Sequence, residues 1–233
     1  MKQLDMRTVL VFDVDNTLAK SWKIWDEAFL RASTSLLGQG FIMTCHPDGT
    51  DDVGFTKRSL QKMLDLRLDQ LGLRLCDYDR FYQEFDIHAD QAAKEIPTEI
   101  LAGVEDFICQ FFGARMIILT SGTRRLQTAV LKSLLPYFDI RRSLFYGDYA
   151  SKQEALDQIA EELKPLNLVH LGDAPSDMQA LHNMTATVPK KVAVGIAITA
   201  IVTPEELWES GADMVIDGCY TQDKADALKN LLL

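Results

Sequence analysis

The sequence predicts an α/β fold, a doubly wound parallel sheet interrupted by a helical insertion. Three observations predict it. An apolar run, Val9-Leu10-Val11-Phe12, delivers two aspartates in close succession, Asp13 and Asp15. From residue 97 onward, short β-rich runs alternate with amphipathic segments, as βα units do. Between these regions, residues 19–96 carry few strand signals and long helical patterns.

In chain order, the first run has the length of a buried strand, and burying acids beside it is expensive unless something pairs them. Oxygen-rich surroundings suit Mg2+, and ligands bind at the carboxyl ends of parallel strands, so chemistry is expected near residue 13. Helical patterns follow over Trp25 to Leu37, Phe55 to Leu71 and Asp79 to Ala93, with a loop over Thr44 to Asp52. Thr17 to Ser21 and Ile96-Pro97-Thr98 bound this insertion, because proline disfavours helix at the preceding residue. The expected division is a core of residues 1–18 and 97–233 and an insertion of 19–96. Further strands are expected over Met116 to Leu119, Leu144 to Tyr146, Leu168 to Leu171, Val192 to Ile196 and Met214 to Ile216. Ala155, Leu156, Ile159, Ala160 and Leu163 recur at helical intervals, with Lys152, Glu154, Asp157, Glu161 and Glu162 on the other face. Thr203-Pro204-Glu205-Glu206 reads as a helix start: a threonine N-cap, proline at the first helical position, and acids facing the positive end of the dipole.

At 233 residues and 47% hydrophobic, the chain can bury a full core. A formal charge of -10, with only the isolated pairs Arg124-Arg125 and Arg141-Arg142, disfavours a nucleic-acid surface, which needs clustered cations. Cys45, Cys76, Cys109 and Cys219 form no Cys-x-x-Cys pair, so reduced thiols are expected rather than a zinc ribbon or redox motif. No apolar segment approaches the length of a membrane span, and the first residues lack the apolar core of a signal peptide, so a soluble cytoplasmic protein is expected, with no membrane partner. Composition leaves the oligomeric state open.

Three further strand ends complete a pattern with the first. Thr120-Ser121-Gly122-Thr123 offers hydroxyls and backbone amides suited to phosphate oxygens. Lys152 opens the next helix. Gly172-Asp173-Ala174-Pro175-Ser176-Asp177 makes a tight turn from which two carboxylates project. Taken singly, each motif also has a bland reading: an aspartate at a strand end is often a cap, Asp177 can be helix-start electrostatics, and Lys152 can be a solvated helix-start lysine.

Together, in this order, they resemble the four motifs of the haloacid dehalogenase superfamily, in its magnesium-dependent phosphohydrolase branch. The resemblance covers the whole chain. The insertion resembles the C1-type helical cap of phosphoglycolate phosphatase and β-phosphoglucomutase relatives, and the stretch from Val194 through Thr203-Pro204-Glu205-Glu206 to Ile216 is similar to the phosphoglycolate phosphatase-like group. It implies a Rossmann-like core sheet in the order 5-4-1-2-3. It also implies a metal site at Asp13, Asp15, Asp173 and Asp177, with Asp15 contributing its backbone carbonyl. The chain departs from the Lys-Pro pairing frequent near the third motif, since Gln153 follows Lys152.

The roles follow from the chemistry. A carboxylate reaching a phosphate dianion is repelled unless a cation bridges both, which makes Asp13 the candidate nucleophile beside Mg2+. A poor alkoxide leaving group needs a proton, and Asp15 is the candidate acid and base. Thr120, with the Ser121 or Gly122 amides, should hold a phosphoryl oxygen, while Lys152 offsets charge. Asp173 should complete the metal ligands, and Asp177 should act on a bound water or hold Lys152. The expected activity is a magnesium-dependent phosphatase acting on a small phosphorylated metabolite through an aspartyl-phosphate. A phosphomutase using the same residues is one alternative, and a catalytically silent binding protein on the same fold is another. Dehalogenation is disfavoured because Asp15 is present, and no Gly-x-x-x-x-Gly-Lys kinase loop occurs. His46, Gly49-Thr50-Asp51, Lys57 and Arg58 are candidate specificity contacts; Trp22 and Trp25 could line the site mouth or seal an interface; His170 and His182 are read as structural.

Overall fold

A computed structural model describes residues 7–40, 64–65, 68–69, 72, 74–75, 77–197 and 202–233. The loop Thr44 to Asp52 with His46, the basic residues Lys57 and Arg58, most of the Phe55 to Leu71 pattern, and Cys45 and Cys76 lie outside them. The chain divides into two units, Met1–Lys20 with Ile100–Leu233, and Ser21–Glu99.

The larger unit is built on a five-stranded sheet. Its strands are β1 (Thr8–Phe12), β4 (Arg115–Ile118), β5 (Asn167–Gly172), β6 (Lys190–Ala197) and β7 (Met214–Asp217), in the order β4-β1-β5-β6-β7. Every described pairing is parallel. All five residues of β1 are buried, as a strand covered on both faces must be. Val9 and Val11 pack with Ile117, Leu156, Ile159 and Met178. The latter three come from α5 (Lys152–Leu163) and α6 (Pro175–His182). Neighbouring residues alternate across a strand, so Leu10 and Phe12 face the opposite layer, where Phe12 meets the Phe138 ring at 5.5 Å.

Register decides where the chemistry falls. Phe12 pairs with Ile118 on one side and with Leu171 on the other. Asp13, Thr120 and Asp173, one or two residues beyond those partners, therefore leave the sheet at the same edge.

One expected strand is not formed. Leu144 makes only an isolated parallel bridge to Leu119. The Leu144 N–H donates to Ile118 O at 2.8 Å, but the Phe145 N–H turns to Asp148 Oδ2 at 2.9 Å and the Tyr146 N–H to Gly122 O at 3.0 Å. The Tyr146 amide thus bonds the Gly122 turn instead of Thr120 O, its next ladder partner, while the Phe145 amide, which points away from β4, closes a turn with Asp148, so no ladder develops. With that bridge in third place, the sheet follows the implied order, and β7 extends it beyond β6.

Local sequence explains the helix ends. The Ser151 hydroxyl accepts the Glu154 N–H at 3.2 Å and starts α5. Thr203 and Glu206 form a capping box at α7 (Pro204–Glu209), with the Thr203 N–H donating to Glu206 Oε2 at 2.8 Å. Among the described residues, the other α-helices of this unit are α3 (Val104–Cys109), α4 (Arg124–Val130) and α8 (Gln222–Leu232).

In the smaller unit, α1 (Trp22–Leu37) and α2 (Tyr78–Glu95) pack together. Trp25 stacks on Phe85 at 5.6 Å and Phe29 meets Phe81 edge-on at 5.4 Å. Arg31 bridges Glu27 and Glu95, each at 2.7 Å. Trp25 is buried. Gly38, at φ 68°, ends α1, and Ile96 leaves α2 extended before Pro97. Short strands β2 (Ala19–Lys20) and β3 (Glu99–Ile100) pair where the chain leaves and re-enters the larger unit. Among the described residues, no helix is long and apolar enough to cross a membrane. Cys109 and Cys219 are free thiols.

Candidate active site

Four connections at the carboxyl edge of the sheet bring together Asp13, Asp15, Thr120, Lys152, Asp173 and Asp177. The acids, Thr120 and Gly172 are buried, and Lys152 and Ser121 are half-buried.

Asp13 follows β1 directly, its N–H donating to Leu171 O at 2.9 Å, which ties the first motif to β5. Lys152 Nζ stands 3.4 Å from Asp13 Oδ1 and is paired with Asp177 Oδ1. Asp177 Oδ2 accepts the Ala174 N–H at 3.2 Å, so both of its oxygens are engaged. This fold-back explains Gly172, because a Cβ there would overlap the Asp177 carboxylate. Lys152 is thus an ion-paired lysine between two carboxylates rather than a solvated one.

Ligand oxygens of Asp13, Asp173 and Asp177 all lie within 4.8 Å of one another, and these three buried groups could hold a metal ion. The donor set is all oxygen, which suits a hard divalent cation. The carboxylates outnumber the one ammonium, and a divalent cation would offset the excess negative charge. Electrostatics reports the same imbalance. Burial pushes the Asp13 carboxyl up to about 6, with Lys152 opposing and Asp177 and Asp15 adding to it. Burial, then Asp13 and Asp177, push Asp173 well above the carboxylate range. Burial would raise Asp177 too, but Lys152 and His170 hold it well below. For Lys152, burial favours the neutral amine, and Asp13 and Asp177 more than reverse this.

The Asp15 carboxylate stands outside the ligand cluster, and its Oδ2 accepts the Gln127 Nε2–H at 2.8 Å. Thr120 is buried, with its N–H donating to Leu144 O at 3.1 Å. Its Oγ1 accepts the Gly122 N–H at 3.3 Å. That amide therefore orients the Thr120 hydroxyl, whose own proton is directed elsewhere.

Several residues here escaped sequence reasoning. Gln127 lies one place from Leu126 on a short helix, and nothing in the apolar pattern marks it. Asn16, at φ 55°, is buried and opposes the upward push on Asp173; an asparagine directly after Asp15 was a usable signal, since it tolerates the left-handed region. Burial pushes the Tyr149 phenol up to about 12, with Lys152 opposing. The Tyr220 hydroxyl donates to Thr17 O at 2.7 Å from a position 203 residues away, a link with no local signature. The two structural histidines behave as expected: His170 Nδ1–H donates to Val11 O at 3.2 Å and His182 Nε2–H to Gly211 O at 2.6 Å. His170 Nε2 also faces Asp177 Oδ1 at 3.5 Å.

Solved structures share this fold. A predicted phosphoglycolate phosphatase from Haemophilus somnus superposes with a TM-score of 0.75 at 16% identity, over 97% of this chain and 98% of that one. A hydrolase from Pseudomonas syringae gives 0.67 at 21% identity over 96% and 97%. A candidate β-phosphoglucomutase from Thermotoga maritima gives 0.66 at 18% over 96% and 99%. No curated protein matches the chain in sequence. The family model for haloacid dehalogenase-like hydrolases matches residues 8–185, which take in all four motif regions, and the chain belongs to that family.

Proposed function

We propose that the protein is a Mg2+-dependent phosphatase that hydrolyses a small phosphorylated metabolite through an aspartyl-phosphate on Asp13. The observation that carries this reading is the placement of Asp13, buried, 3.4 Å from Lys152 and within one ligand cluster with Asp173 and Asp177. A divalent ion held by Asp13, the Asp15 carbonyl and Asp173 would supply the positive charge that lets a carboxylate approach a phosphate dianion. Asp177 positions Lys152. Lys152 offsets charge shared between Asp13 and the phosphoryl group, and the Thr120 hydroxyl, set by Gly122, donates to a phosphoryl oxygen beside the Ser121 amide. Asp15 gives a proton to the departing alkoxide and takes one from the water that hydrolyses the intermediate. Residues 19–96 are the proposed selector of substrate.

A phosphate-release screen over sugar phosphates, phosphoglycolate, nucleotides and phosphonates, with and without Mg2+ and with chelator, tests the proposal. Free phosphate that depends on Mg2+ and disappears in Asp13→Asn is expected. Isomerised sugar phosphate in place of free phosphate would move the reading to a phosphomutase; binding without turnover would make it a silent binding protein.

A further inference from the structure

Gln127 is fully buried in the first turns of α4 and lies 112 residues from Asp15 in sequence, yet its Nε2–H donates to Asp15 Oδ2 at 2.8 Å. Its Oε1, also buried, has no partner. An orphaned carbonyl oxygen in a core is a standing cost, and a leucine or methionine would fill the same place on the helix without it. The amide's one bond, to Asp15, is what such a substitution would lose.

The amide is also held in place. The Gln127 side chain lies against the Gly122 backbone so closely that a Cβ at Gly122 would overlap Nε2. The Gln127 N–H donates to Thr123 O at 3.0 Å, and the Thr123 hydroxyl caps α4 by accepting the Leu126 N–H at 3.4 Å. The turn that presents Thr120 therefore also fixes the amide that reaches Asp15.

We infer that Gln127 is a positioning residue that sets the Asp15 carboxyl for proton transfer, an inference that rests on the phosphatase reading. Donation into Oδ2 favours the transferable proton on Oδ1. As the ester P–O bond breaks and the Asp13 O–P bond forms, the leaving oxygen takes that proton, and Asp15 becomes a carboxylate whose Oδ2 stays bonded to the amide. When water attacks phosphorus, Asp15 recovers a proton from it and the Asp13 O–P bond breaks.

The test is kcat/KM with Mg2+ for phenyl, 4-nitrophenyl and 2,4-dinitrophenyl phosphate, in wild type, Gln127→Met and Gln127→Leu. Both substitutions remove the donor while roughly preserving volume, and Leu stands in if Met does not fold. Because kcat/KM reports events up to leaving-group departure, loss of a positioned acid falls on the ester that needs a proton. A loss of about 10- to 100-fold is expected with phenyl phosphate and less than about 2-fold with 2,4-dinitrophenyl phosphate. Adding Gln127→Met to Asp15→Asn should cost nothing further. Equal losses along the series, no loss at all, or independent losses in the double variant would overturn the role of Gln127 alone. A wild type inactive on these esters and on the whole metabolite screen would instead remove the phosphatase reading, and this inference with it.

Discussion

Replacing the proposed nucleophile should stabilise the metal-free protein. The Asp13 carboxyl ordinarily titrates at 3.8 and is pushed to about 6 by burial, the attraction of Lys152 already counted. Holding it ionised at neutral pH costs on the order of 3 kcal/mol relative to the unfolded chain. The sign follows from linkage: a carboxyl raised in the folded state favours folding fully below 3.8, and that contribution is lost as pH rises through about 6. Asp13→Asn removes the titration and keeps the shape. In chelator at pH 7 the variant should melt roughly 6–12 °C above wild type, at about 2–4 °C per kcal/mol for a chain of this size. Scanning calorimetry or urea titration at pH 4, 5, 6 and 7 reads the effect, and the gap between the two proteins should close as pH falls to 4. A variant no more stable than wild type at pH 7, or a gap that ignores pH, would refute the charge imbalance argued for the site.

Mg2+ at about 100 times its dissociation constant should raise wild-type stability by about 2.7 kcal/mol, and Asp173→Asn should lose most of that gain in the same melting assay. Lys152→Met leaves Asp13 and Asp177 facing each other without their cation, so a stability loss on the order of 3 kcal/mol and at least a 100-fold fall in turnover are expected, read by denaturant titration and phosphate release. Gly172→Ala drives a methyl into the Asp177 carboxylate and should cost about 1–3 kcal/mol by urea titration while lowering turnover, because Asp177 can no longer hold Lys152.

The parts of the molecule legible in sequence are those with local causes. The β1 run, the Thr203 capping box and the stop at Ile96 before Pro97 each follow from a few neighbouring residues. The strand expected at Leu144 failed because the Tyr146 amide bonds Gly122 O instead of continuing the ladder and Asp148 closes a turn on Phe145, a competition that apolar content does not register. Within the site, the acids, Thr120 and Lys152 announce themselves because charged and hydroxyl groups at strand ends need a reason to be there. Gln127 and Tyr220 do not, since one bonds Asp15 across 112 residues and the other bonds Thr17 across 203.

The most direct test of the central claim is to look for phosphate on Asp13 itself. Asp15→Asn slows hydrolysis of the intermediate by removing the base, while 2,4-dinitrophenyl phosphate needs no acid to react, so the intermediate should accumulate. Acid quenching with Mg2+ present, followed by peptide mass spectrometry, should find a phosphoryl group on Asp13. Dinitrophenolate release with no phosphoryl group on Asp13, or with one on another residue, would contradict the account.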